Sequence, residues 1–450
     1  MWHLPRIALG AVQPEARCEP LLWGLLSLCQ QVGITTQTYL SRSCFSPHDG
    51  AKAVTGRASR HLDSWLMNRS GCLRALRRGA GNAALAIVQG TWAAPSSLPG
   101  NSPGRPTGSC LTTLCDWLDL PRIGVVDAAQ LRTCALPQPG TKLDALFIDN
   151  AVDHPEAIRW QTELESLWGV PVVGWLDQAE SLRSALGKLP AGVDPPKELC
   201  QALGQRLAGK VRLDRLLNLA ARPPLPEVLA NLPFQCTSRR KLQVAVALDE
   251  DFSCHFPDTL DSLESVGAVI RDFSPLRNES LPEHVDLVII GCGHPERHLE
   301  TLAANHCLKQ SLRCFAAAGG RIYAEGGGLA YLCRQMILAD GRSAPMTGLL
   351  PATARQVLKS GEPEPAEITF GSNCWMADAA TQFRGYRVNQ WQIEPTGPML
   401  SLAQEPRYRC DLLGRGNIVG SRVLTNFAAQ PHLLRRFFYP YMPVALALRS

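Results

Sequence analysis

Several features that would narrow the function are scarce or missing in this sequence of 450 residues. No apolar run reaches the ~18 residues that a membrane-spanning helix needs, and stretches such as 20–28 (PLLWGLLSL) fall well short of it. Lys and Arg outnumber Asp and Glu by only 45 to 40, which gives a net charge of +5. No long basic run reinforces this small excess, so we expect neither a membrane nor a nucleic-acid partner.

Paired metal-ligand spacings are also missing. The sixteen cysteines are scattered between Cys18 and Cys410, with no Cys-x-x-Cys pair and no histidine at zinc-finger spacing. The apolar stretch 20–28 follows Glu15 and Glu19 and has no basic leader, so we expect no signal peptide. These patterns favour reduced thiols in small core positions, no metal site and a cytoplasmic protein.

Alternating strands and helices are present in the first half of the chain. Apolar residues make up 45% and charged residues 19%, a globular balance, and the length favours more than one domain. Helix-length segments such as 21–33 and 154–169 lie between near-continuous apolar strands. This order predicts an α/β domain with a parallel sheet covered on both faces. The predicted strands are 6–10, 84–90, 123–128, 145–151 and 170–176.

The same alternation starts again in the second half. A helical segment (197–220) leads to a proline-rich stretch, and we predict a domain over 1–222, a linker over 223–240 and a second domain over 241–450. Loops at the carboxyl ends of such strands are where α/β folds bind ligands. Strands are predicted at 242–249, 266–273, 285–293 and 320–328, and helices at 257–267 and 296–320.

The segment 319–330 (GGRIYAEGGGLA) has the pattern of a nucleophile elbow. An apolar strand meets Glu325 and then a glycine-lined turn into a helix, which would present one residue beside backbone N–H donors. The presented residue here is Gly326. Since glycine has no side chain, the elbow has no nucleophile at this position.

These motifs resemble the glutamine amidotransferase domain of the cobyrinic acid a,c-diamide synthase family. In that family the elbow has the sequence Tyr-Ala-Glu-Cys-Gly-Gly-Leu. Segments 252–268, 273–298 and 339–351 of this chain are also similar to motifs of the family. Its Gly-Gly-Gly-Tyr-Pro-Glu loop, which contributes to the oxyanion hole, reads Gly291, Cys292, Gly293, His294, Pro295, Glu296 here. The resemblance implies a class I amidotransferase-like α/β domain in the second half.

The base of the implied site is replaced as well. The family's Ser-Tyr-x-His-Leu-His-Phe reads 421–427 (SRVLTNF), so that Leu424 and Asn426 stand in place of the histidines. Its Gly-His-Glu-Phe-His-Tyr reads 385–390 (GYRVNQ). A cysteine nucleophile needs a base to form thiolate. A relocated dyad of Cys292 and His294 is the alternative; the i, i+2 spacing alone does not bring the base to the thiol.

The first half resembles the same family's ATP-binding domain, most clearly at 55–67 (TGRASRHLDSWLM). The resemblance implies a parallel sheet like that of the P-loop NTPases, specifically of dethiobiotin synthetase. The alternative interpretation of this segment is a turn followed by the start of a packed helix. The residues that match the family motif are Thr55, Gly56, Arg57, Ser59, Arg60, Leu62, Asp63 and Trp65.

A phosphate loop needs glycines that free backbone N–H groups, a lysine and a hydroxyl. After the first strand, the chain keeps Gly10 alone and has Arg17 where the family has lysine. Acidic residues that hold Mg²⁺ in the family are also replaced in 89–97, although Asp127 matches. We therefore predict a degenerate P-loop and expect no ATP, Mg²⁺ or other cofactor, although intact relatives use ATP and Mg²⁺.

The resemblance implies glutamine- and ATP-dependent amidation of corrin carboxylates in cobalamin synthesis for an intact relative. With nucleophile, base and phosphate loop replaced, we predict a pseudoenzyme that keeps the two-domain scaffold in a binding or regulatory role. Its expected partners are a corrinoid or tetrapyrrole ligand, or an intact paralogue. The alternative is an amidating ligase of the same pathway that uses free ammonia.

Overall fold

Two compact units make up the chain. The computed structural model describes residues 1–13, 16–92, 108–133, 139–228, 234, 240–358 and 361–440. Contacts divide the chain into a first unit of 1–42 with 46–230, and a second unit of 43–45 with 231–450. The division lies inside the segment 223–240 that the prolines mark as a linker.

The first unit is built on a seven-stranded parallel sheet in the order β3-β2-β4-β1-β5-β6-β7. Its central strands are almost fully buried and apolar, as both faces of the sheet are covered. All five strands predicted from the sequence are present, and β2 and β3 are additional. The strands are β1 Arg6–Ala11, β2 Thr36–Leu40, β3 Arg60–His61, β4 Leu85–Thr91, β5 Arg122–Asp127, β6 Ala145–Ala151 and β7 Val172–Asp177.

Four helices of the first unit begin at a residue whose side chain caps the helix. The helix His154–Trp168 begins at Asp153, whose side chain accepts a hydrogen bond from the N–H of Glu156, and it ends at Gly169 with φ 64°. The helices are α1 Glu19–Gln31, α2 Gly50–Thr55, α3 Arg69–Ala80, α4 Leu111–Leu118, α5 Ala128–Leu131, α6 His154–Trp168, α7 Glu180–Gly187, α8 Lys197–Leu207 and α9 Leu213–Ala220.

The second unit holds a seven-stranded sheet in the order β18-β19-β20-β11-β10-β8-β9, in which β20, β11, β10, β8 and β9 run parallel. Two smaller sheets have the orders β13-β12-β14-β17 and β15-β16-β21. The four predicted strands are confirmed as β8 to β11. The strands are β8 Gln243–Ala247, β9 Val269–Phe273, β10 Leu287–Ile290, β11 Arg321–Glu325, β12 Cys333–Ile337, β13 Ser343–Pro345, β14 Leu350–Gln356, β15 Glu364–Thr369, β16 Gln382–Arg387, β17 Trp391–Pro395, β18 Leu400–Ser401, β19 Leu412–Arg415, β20 Ile418–Ser421 and β21 Val423–Leu424.

Apolar side chains cover both faces of this larger sheet. The predicted helix at 257–267 is confirmed. The helices of the unit are α10 Pro257–Val266, α11 Leu299–Ala304, α12 His306–Ala317, α13 Gly327–Leu332 and α14 Pro431–Phe438, with 3-10 turns at Pro295–His298, Pro406–Tyr408 and Phe427–Ala429.

Two long helices predicted from the sequence are wrong as single elements. The segment 296–320 breaks at Asn305, because its amide donates to the carbonyls of Pro275 and Arg277 while its oxygen caps α12. The segment 197–220 breaks between α8 and α9 at Gly209, which has φ 75°. Among the described residues, no helix is long and apolar enough to cross a bilayer.

Candidate functional site

The turn from β11 into α13 has the backbone of a nucleophile elbow. Gly326 adopts φ 55° and ψ −116°, a conformation that side chains rarely occupy. Its N–H donates to the carbonyl of Ser421 (2.9 Å), and its own carbonyl accepts from the N–H of Ala330 (3.2 Å). The predicted elbow is therefore present as a fold feature, with a glycine at the point where a nucleophile would project.

The following glycines allow close packing against the loop 291–296. A Cβ on Gly327 would lie 2.6 Å from the carbonyl oxygen of Gly293, and a Cβ on Gly328 would lie 2.3 Å from that of Ile290. These are backbone atoms of a sheet edge, which cannot move aside cheaply. The run of glycines thus brings the start of α13 against the end of β10.

The Cys292 side chain occupies the space in front of Gly326. An ideal Cβ built on Gly326 would lie 2.5 Å from Cys292 Sγ and 3.2 Å from its Cβ. The Cys292 carbonyl accepts from the N–H of Cys254 (3.2 Å), which pairs the two residues in an isolated antiparallel bridge. In the family motif given above, the cysteine stands at 326 and glycine at 292, so this chain has the two residues exchanged.

Burial raises the pKa of the Cys292 thiol well above its usual range, although hydrogen bonding by the backbone of Gly327 and Gly293 opposes the rise. The thiol lies in an apolar cluster with Phe256 and Leu424. This thiol is therefore protonated at neutral pH. A protonated, buried thiol is a poor nucleophile.

Leu424, which stands where the family has the histidine base, belongs to the same apolar cluster and is 1% exposed. It lies in β21, where it pairs with Tyr386 of β16. Asn426 is fully buried, and its Oδ1 has no hydrogen-bond partner among the described residues. The structure thus brings the predicted nucleophile, oxyanion-loop and base positions together, around apolar atoms and a thiol.

Among the described residues, His294 forms no hydrogen bond to Cys292 or to the apolar cluster around it. Its Nδ1 lies 3.0 Å from Glu296 Oε1, which also accepts from Gln390 Nε2 (2.8 Å). The N–H of His294 donates to the carbonyl of Asp251 (2.8 Å). The ring is therefore engaged by Glu296 and Gln390.

Two carboxyl groups near the elbow are buried; the sequence pattern includes Glu325 without predicting its burial, and sequence reasoning missed Asp251. Glu325 Oε2 accepts from Tyr323 Oη (2.9 Å) and from the N–H of Thr425 (3.1 Å), and burial raises its pKa to about 7. Asp251 pairs with His298 (2.8 Å), and burial raises its pKa to about 6. Glu325 is the last residue of β11, directly before the elbow, and that position could have marked it as a candidate site residue. Asp251 lies in the loop after β8, where the sequence gives no comparable signal.

In the first unit, side chains pack around the end of β1 and the start of the turn that follows it. Gln13 is buried and forms two hydrogen bonds with the backbone of Asp127, one to its carbonyl (3.1 Å) and one from its N–H (3.0 Å). A Cβ on Gly10 would lie 2.7 Å from the Trp92 ring, while Arg17 is exposed. Residues 14–15 and 93–107 of the predicted phosphate and metal segments lie outside the described residues.

Asp127, which matches the family, caps a helix. Its Oδ1 accepts from the N–H of Ala129 (2.8 Å) at the start of α5, and from the amide of Asn150 (3.3 Å). Among the described residues, no group of three or more His, Cys, Asp or Glu side chains could hold a metal ion.

The matched motif at 55–67 forms a network of turns around two aspartates. Asp49 accepts from the N–H and the hydroxyl of Ser59 (3.0 Å each), and Asp63 accepts from the N–H groups of Trp65 (3.0 Å) and Leu66 (3.1 Å). Elsewhere in the motif, Thr55 Oγ1 donates to Ala51 (2.7 Å), Gly56 ends α2 with φ 72°, Arg57 donates to Asn82, and Arg60 packs beside Gly79.

An aspartate in β6 and an aspartate at the end of β7 each pair with a basic side chain from another part of the first unit. Arg183 contacts Asp149 (2.5 Å), and Lys210 contacts Asp177 (2.8 Å). Burial raises the pKa of Asp149 to about 6, with Arg183 acting in the opposite direction. These charges balance each other within the unit.

Comparisons with known proteins agree with the motifs. Residues 243–359 match the family model of the CobB/CobQ-like glutamine amidotransferase domain. The chain is 28% identical to a cobyrinate a,c-diamide synthase of Syntrophotalea carbinolica, over 96% of this chain and 98% of that protein. It is 25% identical to a cobyrinate a,c-diamide synthase of Dehalococcoides mccartyi (97% and 98%) and 26% to a hydrogenobyrinate a,c-diamide synthase of Streptomyces coelicolor (96% and 97%). The family resemblance is thereby confirmed.

Proposed function

We propose that this homologue of the cobyrinate a,c-diamide synthases does not hydrolyse glutamine and acts through binding or regulation in cobalamin synthesis. The observation that supports the proposal is the arrangement at the elbow. Position 326 has no side chain, the nearby Cys292 thiol is held protonated, and position 424 is an apolar leucine. Thiol-dependent amide hydrolysis needs a thiolate and a group that protonates the departing ammonia.

The test is glutamine hydrolysis by the full chain. We expect purified protein, incubated with glutamine with and without MgATP and cobyrinic acid, to release no glutamate above a protein-free blank. The Syntrophotalea carbinolica relative, assayed in parallel, is the positive control. Glutamate release that scales with the concentration of this protein, and that iodoacetamide abolishes, contradicts the proposal.

The binding role is tested separately with cobyrinic acid as the probe. A ligand that binds only the folded state raises the free energy of unfolding, by about 2.7 kcal/mol at a concentration a hundredfold above Kd, and so raises the unfolding temperature. We expect saturable binding in an absorbance titration and a matching shift of the unfolding midpoint. If millimolar cobyrinic acid produces neither change, the corrinoid-binding role is contradicted. Pairing with an intact paralogue is then the remaining partner, and co-purification of the two proteins tests it.

A ligase that uses free ammonia is the second candidate, and similarity to the relatives along both halves of the chain favours it. Cobyrinic acid would be incubated with MgATP and an ammonium salt, and mass spectrometry would look for conversion of one or two carboxyl groups to amides. We expect no conversion, because Gln13 at the start of the turn is bonded to the Asp127 backbone and the Trp92 ring lies against Gly10 of β1. Amidation that depends on both ATP and ammonium establishes the second candidate instead.

A further inference from the structure

The Cys292 thiol fills the space that a side chain at position 326 needs. The 2.5 Å between Cys292 Sγ and an ideal Cβ on Gly326 is far inside ordinary contact distance, which for carbon atoms is about 3.5–4.0 Å. The obstruction is not a flexible chain end, since Cys292 Cβ (3.2 Å) and Cα (3.5 Å) follow directly behind the sulfur. Side chains at 292 and 326 therefore compete for one small volume.

The thiol also lies close to the backbone of the elbow. Hydrogen bonding by the backbone of Gly327 and Gly293 lowers the pKa of Cys292, against the larger rise that burial causes. Gly327 is the residue that follows the elbow position, and Gly293 belongs to the loop that packs against it. Donors placed in this way could otherwise bind a negatively charged oxygen.

We propose that Cys292 is an internal plug of the elbow, and that it determines whether residue 326 can carry any side chain. The inference deepens the proposed loss of glutamine hydrolysis and rests on the same site. Its test uses stability and thiol accessibility, so that either proposal can fail without the other. The proposal also means that a single replacement at 326 does not restore a nucleophile, because position 292 has to lose its side chain first.

The test is a double-mutant cycle with Gly326→Ala, Cys292→Gly and the combined variant. Alanine adds only the Cβ and introduces no new thiol. We expect Gly326→Ala to lower the thermal unfolding midpoint by several degrees in the wild-type background, since overpacking costs about 1–3 kcal/mol and each kcal/mol moves the midpoint by about 2–4 °C in a unit of this size. In the Cys292→Gly background, the same substitution should cost much less.

Gly81 provides a matched control for backbone strain. It has φ 52° and ψ −117°, almost the conformation of Gly326, and a Cβ there would have no atom within 4 Å. Gly81→Ala therefore measures the cost of placing alanine in this conformation without a clash. We expect Gly326→Ala with glycine at 292 to cost about as much as Gly81→Ala. An equal loss from Gly326→Ala in both backgrounds overturns the proposal.

Alkylation of the native protein gives an independent measurement. Cys292 is 8% exposed, so iodoacetamide should modify it slowly, and Gly326→Ala should accelerate its modification several-fold by displacing the thiol. Cys333, which is 0% exposed, reports whether the unit has stayed folded. If Gly326→Ala does not fold, the plug proposal requires the combined variant to fold. Failure of both variants to fold, while Gly81→Ala folds, contradicts the proposal. Unchanged alkylation of Cys292 in a folded Gly326→Ala variant contradicts it as well.

Discussion

The elbow of the second unit and the turn after β1 in the first unit both correspond to family motifs, but they differ in what has been kept. The elbow has the backbone path of its motif: Gly326 holds φ 55° and ψ −116°, and a Cβ on Gly327 or Gly328 would collide with a backbone oxygen of Gly293 or Ile290. The residues at 292, 326 and 424 differ from the family motifs. A shape fixed by strand and helix packing does not depend on which side chain it presents.

The described residues next to the turn after β1 make side-chain contacts. A phosphate loop consists of backbone N–H groups that need several glycines, whereas position 13 here is a buried glutamine. Gln13 is bonded to the Asp127 backbone, and Trp92 lies against Gly10. The comparison teaches that the shape of a site made of one side chain on a packed turn depends on the packing of the turn, whereas the shape of a site made of backbone N–H groups depends on its own glycines.

The largest effect should come from adding a methyl group to the elbow helix. In Gly328→Ala, the Cβ would lie 2.3 Å from the Ile290 oxygen and 2.7 Å from the Gly291 oxygen. Because both are backbone atoms, we expect a loss of about 3 kcal/mol or more in the free energy of unfolding. Urea unfolding measures it, with Gly187→Ala at the end of α7 as control, since a Cβ there meets nothing within 4 Å. A loss equal to that of Gly187→Ala would mean that packing does not fix the elbow.

The buried Glu325 should give the next largest effect, as a pH dependence. Its folded pKa of about 7 exceeds that of an unfolded glutamate, about 4.3, so its contribution is full below pH ~4 and is lost as the pH rises through 7. Between pH 5 and 8, the wild type should therefore lose on the order of 2 kcal/mol more stability than Glu325→Gln.

Urea unfolding at pH 5, 6, 7 and 8 checks this difference. Asp251, whose pKa is raised to about 6, acts in the same direction in both proteins and cancels from the comparison. Glu300→Gln, a substitution on the surface, is the control and should follow the wild type. Parallel curves for the wild type and Glu325→Gln would show that the Glu325 proton is not linked to folding.

A smaller effect is expected at the turn after β1. Gln13→Ala removes both hydrogen bonds to the Asp127 backbone and leaves those groups without the side chain that satisfies them. We expect a loss of about 1–2 kcal/mol in the free energy of unfolding. Gln201→Ala, on exposed surface of α8, is the control. No loss beyond the control would mean that this side chain does not hold the turn.

The smallest effect should follow Arg17→Ala. Arg17 is exposed and occupies the position of the phosphate-loop lysine in the family resemblance. We expect a stability change within about 0.5 kcal/mol, and no shift of the unfolding midpoint by millimolar MgATP in the wild type or in the variant. A shift with MgATP that Arg17→Ala abolishes would show that nucleotide binding has survived in this turn.

The strands around both sites were predictable because they are short, apolar and buried on two faces, as in β6 and β11. β2 was missed because its sequence, TQTYL, is polar although Thr36–Thr38 are buried; neighbouring strands and local hydrogen bonds satisfy it. The break at Asn305 depends on contacts with Pro275 and Arg277, far away in sequence. The elbow followed from its glycines, but the position of the Cys292 thiol in front of Gly326 depends on the distance between two loops, which spacing does not give.

The elbow helix α13 is buried over its whole length, from Gly327 to Leu332, and it runs directly into β12. Water can therefore reach its amide groups only when a large part of the second unit opens. In hydrogen–deuterium exchange, its helical amides should be among the slowest of the unit, slower than those of α12, which is partly exposed. The elbow helix would then serve as a reporter of the cooperative opening of the unit around it.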